Sequence, residues 1–210
     1  MVTPGKIICV GRNYAAHAKE LGNAVPERPL LFLKPPSAVI RDGATIRLPA
    51  ESMQVEHEGE IAVVIGRRVR DADEAAARAA IGGLTCGNDV TARDLQKSDG
   101  QWTRAKGFDT FCPLGPRVRP VDGTTFDFAT LEVRCRVNGV ERQHGRAADM
   151  AFNIPALVAY ISGIMTLEPN DVILTGTPEG VGPLLDGDVV EVEVSGVGVL
   201  RNPVARKGAG

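Results

Sequence analysis

No extended run of lysine or arginine occurs in the 210 residues, and 24 Lys and Arg stand against 26 Asp and Glu for a net charge of -2. Aromatic residues make up only 4% of the chain. A nucleic-acid binder needs a basic stripe and stacking platforms, so that class is excluded. Long apolar runs are missing too: nothing approaches the roughly 20 residues that span a bilayer. The apolar stretch after Lys6 is too short for a secretory signal. Cys9, Cys86, Cys112 and Cys135 form no C-x-x-C pair, and each lies in or beside an apolar stretch. They read as buried thiols in a reducing cytoplasm, not as staples or as a nucleophile. Repeats, low-complexity tracts and linkers are also lacking, and 43% apolar residues can fill one core. Residues 1–210 are therefore expected to form one domain, with 1–50 as an N-terminal segment.

What the chain does have is an acidic ladder, Glu56, Glu58 and Glu60, leading straight into the apolar run Ile61 to Ile65. Strand side chains alternate faces with a period of two, so an extended VEHEGEIAVVIG would point all three carboxylates the same way. Like charges that close repel, and two arrangements relieve them. A hard divalent cation such as Mg2+ or Mn2+ can sit among the oxygens. Alternatively the charges face water along a strand edge, where they discourage edge-to-edge pairing.

Elsewhere the pattern is many short strands and few helices. Lys6 to Val10 is strand-like, Tyr14 to Leu21 suits a short helix, and GNAVPERP is a loop rich in breakers. Leu30 to Leu33 and Ala38 to Ile40 flank Pro35 and Pro36. Asp71 followed by DEAAARAAI and then Gly82 and Gly83 predicts an N-capped helix with a glycine stop. Leu84 to Val90 returns as an extended segment, and Thr91 to Gln96 as one or two helical turns. Asn138 and Gly139 join LEVRCRV to VERQH as a two-residue hairpin. Phe152 to Met165 is helical, with Pro155 near its start. DVILTG, VVEVEVSG and GVLRNPV close the chain as strands. Strands dominate without regular βαβ alternation, which predicts an α+β fold on a rolled or barrel-like sheet.

Four other places can carry chemistry, and each has a plainer explanation. His17 and Glu20, at i and i+3, would share a helix face as an acid/base pair or simply as exposed polar neighbours. Asp89 ends a strand, either as a third metal ligand or as the N-cap of the turn that follows. Lys106, in WTRAKGFDTFCP, can stabilise an enolate or oxyanion from a pocket-lining loop, or can be an ordinary solvated lysine. TGTPEGVG, Thr175 to Gly182, offers amides and hydroxyls to an anion but lacks the lysine and spacing of a nucleotide P-loop, and tight turns alone would explain its glycines.

Taken in order, GRNYAAHAKELG, HEGEIAVVIG, NDVTARDLQ, WTRAKGFDTFCPLGP and LTGTPEGVGP closely resemble the fumarylacetoacetate hydrolase family. The similarity is strongest to short single-domain members acting on acylpyruvates and oxaloacetate, and it runs from about Lys6 to the final strand. It implies a strand-rich mixed β-roll with a few peripheral helices, commonly a homodimer. It further implies that Glu58, Glu60 and Asp89 bind one Mg2+ or Mn2+, with Glu56 a neighbour and not a ligand. His17 and Glu20 correspond to a water-orienting dyad on a lid, Lys106 to the active-site lysine, and Arg93, Gln96 and Thr177 to contacts with the oxo-acid end of the substrate.

The activity so implied is hydrolysis of a C–C bond in a 2,4-dioxo acid such as acetylpyruvate or fumarylpyruvate, giving pyruvate and a carboxylic acid. Oxaloacetate decarboxylation requires the same enolate stabilisation without the water. Within the same fold the alternative is an isomerase or decarboxylase of intermediates such as 2-hydroxyhepta-2,4-dienedioate. A reading from another class is a non-catalytic binder of metal and oxo acid, though such a module has no need of His17, Glu20 and Lys106.

Overall fold

The computed structural model describes residues 3–206, which contain five α-helices, three short 3-10 turns and fifteen strands. Three sheets organise them. The central one has seven strands in the order Leu30–Lys34, Ile7–Gly11, Val172–Leu174, Gly59–Ile65, Ile81–Asn88, Cys112–Pro120 and Val39–Ile40. It is mixed: Ile7–Gly11 runs parallel to Val172–Leu174, whereas Gly59–Ile65 is antiparallel to both of its neighbours. The strand-rich α+β architecture expected from the sequence is thus the one found. Residues from the expected N-terminal segment enter this sheet directly through Ile7–Gly11 and Leu30–Lys34.

A five-stranded sheet, containing Glu132–Val137, Val140–Arg146, Val189–Val194, Gly198–Arg206 and Ile46–Leu48, curls over one face of the central sheet. Its strand VVEVEV buries every second residue, so Val190, Val192 and Val194 face inward while the glutamates face out. These valines join Val133, Leu200, Ile61 and Val63 in the larger core cluster. Ile7, Cys9, Ala62, Val64 and Leu174 form a second cluster on the opposite face. The strand Gly59–Ile65 is consequently buried at every position, which explains an unbroken apolar run where a one-sided strand would alternate. A small third sheet joins Val55–His57 to Gly182–Pro183 and Thr91–Ala92.

Turn chemistry accounts for the hairpin, since Asn138 and Gly139 both adopt positive φ, 53° and 77°, the type I′ geometry that matches strand twist. The helix Ile154–Ile164 starts where expected: the Asn153 side chain accepts the Ala156 N–H at 2.9 Å, and proline occupies the first turn.

The other helix differs from expectation at both ends. It spans Glu74–Ala80 and is capped by Asp73, whose side chain accepts the Ala76 N–H. Asp71 sits in the left-handed region, with its N–H donated to the Ser162 carbonyl. Nor do Gly82 and Gly83 stop the helix; they lie inside the strand Ile81–Asn88. A Cβ on Gly82 would come within 2.5 Å of the Gly66 Cα, so this glycine permits close backbone approach.

Candidate active site

The acidic ladder is not one continuous strand. It breaks at Glu58, between Val55–His57 and Gly59–Ile65, and it does not face water: Glu56, Glu58 and Glu60 are all buried. The charged-edge explanation therefore fails. Antiparallel pairing of Gly59 with Asn88 closes the long sequence gap to Asp89. The Asn88 side chain accepts the Glu58 N–H, and the Glu58 carbonyl accepts the Asp89 N–H. Carboxylate oxygens of Glu58, Glu60 and Asp89 thereby come within 4.8 Å of one another. Asp89 caps no helix: Thr91–Ala92 is a short strand, and the helix Arg93–Ser98 begins after Ala92.

Three buried cations hold Glu58, Asp89 and the neighbouring Glu56. Lys106 Nζ lies 2.8 Å from Glu58 Oε2 and 2.6 Å from Asp89 Oδ2, and Lys34 Nζ lies 2.6 Å from Asp89 Oδ1. Arg93 donates from Nε to Glu56 at 2.8 Å, from Nη2 to Glu58 at 2.6 Å and from Nη1 to Gln96 at 2.6 Å. Its guanidinium is thus anchored to Glu56, Glu58 and Gln96, and the residue lines the same cavity as Lys106. Lys106 closes a four-residue helix, Thr103–Lys106, and is 2% exposed, which rules out the solvated lysine.

Burial alone would raise the Glu58 pKa, but the charges of Lys106 and Arg93 outweigh it and hold this carboxyl well below the usual range. Glu60 moves the opposite way: burial, Asp89 and Glu58 push it well up. Burial by itself would lower the Lys106 pKa, but Asp89 and Glu58 overcome it and raise it. The four thiols are free and buried, and burial pushes those of Cys86, Cys112 and Cys135 up to about 12, so they are inert.

His17 and Glu20 come from the helix Ala15–Glu20, with His17 Nδ1 donating to Glu20 Oε2 at 3.3 Å. Glu20 also accepts the Gly180 N–H at 3.0 Å, which ties the helix to the TGTPEGVG loop. Within that loop, Gly176 N–H donates to Glu60 Oε2 and the Thr177 hydroxyl donates to the Gly59 carbonyl. These two groups fasten the loop to the acidic strand, and Thr177 also lines the cavity.

One cavity of about 290 Å³ gathers eight of the nine candidate residues: His17, Glu58, Glu60, Asp89, Arg93, Gln96, Lys106 and Thr177. Glu20 stands behind His17. Two important residues escaped the sequence reading. Lys34 ends an apolar strand with a side chain 0% exposed, and only the fold brings it to Asp89. Gln143, 2% exposed, accepts the Gly59 N–H and the His57 Nδ1–H and donates to Thr177 Oγ1 and the Pro178 carbonyl. Its signal was a polar residue at the inward parity of VERQHGR. The donor set fits a hard divalent cation: three buried carboxylates converge, and between Glu58 and Asp89 the Lys106 ammonium already holds a positive charge.

Comparison with known proteins identifies the relatives of this chain. The family description fumarylacetoacetate (FAA) hydrolase C-terminal matches residues 6–205. The chain is 48% identical over 206 residues to the mitochondrial oxaloacetate tautomerase FAHD1 of Arabidopsis thaliana, covering 96% of this chain and 91% of that protein. It is 44% identical over 200 residues to the mitochondrial oxaloacetate decarboxylase of Dictyostelium discoideum, covering 93% and 91% respectively. Among solved structures, 5-carboxymethyl-2-hydroxymuconate delta-isomerase from Mycobacterium smegmatis is similar at 53% identity and a TM-score of 0.90, over 99% of this chain and 81% of that one. Fumarylpyruvate hydrolase from Pseudomonas aeruginosa, solved with Mn2+ and pyruvate, matches at 31% identity and a TM-score of 0.90, over 98% and 91%. No helix among the described residues is long and apolar enough to cross a membrane.

Proposed function

Because this chain belongs to the fumarylacetoacetate hydrolase family, we propose that it is a Mg2+- or Mn2+-dependent enzyme that cleaves the C–C bond of acylpyruvate-type 2-oxo acids and also decarboxylates oxaloacetate. The observation that carries this reading is one cavity lined by the buried carboxylate triad, Lys106 and His17. Glu58, Glu60 and Asp89 would hold the divalent ion, which when bound would supply Lewis-acid stabilisation of developing negative charge.

The remaining steps belong to the side chains. Glu20 holds Nδ1–H of His17, which leaves Nε2 to accept a proton from water. The water oxygen adds to the distal carbonyl, and the bond from that carbon to the methylene breaks. Its electron pair passes to the pyruvate half as an enolate, which takes up a proton to give pyruvate. Lys106, poised as a buried ammonium, stabilises the enolate charge. In oxaloacetate the departing group is CO2, and the same enolate results without water.

A second reading, isomerisation or tautomerisation of a 2-oxo or dienol acid, draws support from the names of the Arabidopsis and Mycobacterium smegmatis relatives. It shares the enolate and differs in where a proton is returned. Purified protein incubated with acetylpyruvate, fumarylpyruvate and oxaloacetate, with Mg2+, with Mn2+ and with chelator, distinguishes the readings by product. His17→Ala should abolish hydrolysis while metal binding persists. Absence of metal-dependent conversion of all three substrates would refute the proposal.

A further inference from the structure

The cavity is graded from floor to mouth. At its floor Asp89 is 1% exposed and Lys106 2%. Phe32 and Trp102, in edge-to-face contact at 5.1 Å, make a half-buried apolar waist. Beyond them stand half-buried Arg12 and Asn23 and exposed Lys97. Neither Arg12 nor Lys97 forms an ion pair or side-chain hydrogen bond among the described residues, although every other lysine or arginine lining this cavity does.

Arg12 is also held in an unusual backbone conformation. Its φ of 59° is one that L side chains other than asparagine and aspartate rarely adopt. The next residue keeps it there: Asn13 Nδ2 donates to the Thr175 and Phe152 carbonyls, and Asn13 Oδ1 accepts the Phe152 N–H. Lys97 follows Gln96 on the helix Arg93–Ser98 and lines the same cavity.

Charge sets the kind of ligand these residues suit. Three carboxylates and four Lys or Arg side chains line the cavity, so a divalent ion on the floor would leave an excess of three positive charges. A monoacid brings one negative charge to the floor and a neutral tail to the mouth. A diacid neutralises both ends, and the cavity volume of about 290 Å³ suits a small ligand. We propose that Arg12, assisted by Lys97 and Asn23, forms a subsite for a second substrate carboxylate, making 2-oxo diacids the preferred class over acylpyruvates with neutral tails. This presupposes that the floor takes the 2-oxo acid end.

The test uses the Mg2+-loaded full chain with fumarylpyruvate, oxaloacetate and acetylpyruvate as substrates, and with pyruvate, which carries only the chelating end, as inhibitor. Arg12→Gly suits the positive φ and so spares the turn. It should raise the ratio of diacid KM to pyruvate Ki at least about tenfold, the effect of losing one charge-assisted hydrogen bond. Arg12→Lys should recover part of the loss, and Lys97→Met should raise the ratio about threefold, as expected for an exposed charge. A ratio within twofold of wild type in both Arg12→Gly and Lys97→Met, or a wild-type preference for acetylpyruvate over both diacids, overturns the subsite alone. No metal-dependent turnover of any substrate overturns the subsite together with the function it presupposes.

Discussion

Replacing Gln143 by Leu tests whether the acidic strand is fastened from the second sheet. The two side chains are similar in size, so little cavity opens, and the effect comes from four hydrogen bonds. His57 Nδ1 has a fallback in Cys135 Sγ at 3.4 Å, and the Thr177 hydroxyl keeps its bond to the Gly59 carbonyl at 2.9 Å. The Gly59 N–H and the Pro178 carbonyl lose their Gln143 partners at 2.9 Å and 2.7 Å. A buried backbone group left unpaired costs about 1–3 kcal/mol, so the two together cost about 2–6 kcal/mol. Against a total stability of about 5–15 kcal/mol that is a large loss. Urea unfolding followed by circular dichroism should show a lower midpoint with an unchanged slope. Because Gly59 separates Glu58 from Glu60, Mn2+ affinity measured by calorimetry should weaken as well. Gln143→Glu keeps the shape but turns two donors into acceptors that face Thr177 and Pro178, so it should also destabilise. A loss below about 1 kcal/mol in the Leu variant, smaller than one unpaired buried group, would refute the reasoning.

Burial holds the His57 pKa below the ordinary histidine value, against the opposing hydrogen bond to Gln143. The unfolded chain therefore takes up the proton more readily, and stability is lost as pH falls from about 7 through the histidine range. Thermal scans of His57→Gln should show a shallower loss between about pH 7 and 5 than wild type; equal slopes would discount His57. For the metal, Mn2+ at a hundredfold excess over its dissociation constant should stabilise the folded chain by about 2.7 kcal/mol by mass action. Glu60→Gln should lose most of that at the same concentration, and a melting temperature indifferent to both Mg2+ and Mn2+ would refute a cation site.

What the sequence made legible follows from local rules. VVEVEV announces a one-sided strand by period two, and Asn138 with Gly139 announces a type I′ hairpin, because both signals depend only on near neighbours. The acidic ladder pointed to a cluster of oxygen donors, and motif order singled out Asp89 as its companion. Lys34 was not legible: it is 55 residues from Asp89, and LLFLKPP gives no sign that its lysine turns inward. Nor could spacing choose between Asp71 and Asp73 as the cap. Both precede the alanine run, and the choice depends on a contact from Asp71 to Ser162 in a distant helix. Arg93 illustrates a third kind of shortfall. A motif marks the residue as part of the site, but only the fold shows two of its donors bracing Glu56 and Glu58 and the third reaching Gln96.

Buried cations answer the question the ladder raised. Four buried carboxylates, Glu56, Glu58, Glu60 and Asp89, meet three buried cations, Lys34, Arg93 and Lys106. The carboxylate without a cationic partner is Glu60, and it is also the one in this group whose pKa burial and its acidic neighbours raise. Three cations against four carboxylates leave one negative charge over, and a proton or a bound cation at Glu60 would offset it. Breaking any one of the buried pairs strands a charge at a cost of about 3–5 kcal/mol, which makes the lysines and the arginine as necessary to the cluster as the carboxylates themselves. The same balance makes Glu60 the natural point of exchange: a divalent cation competes there with a proton, and its affinity should rise with pH until that proton is gone.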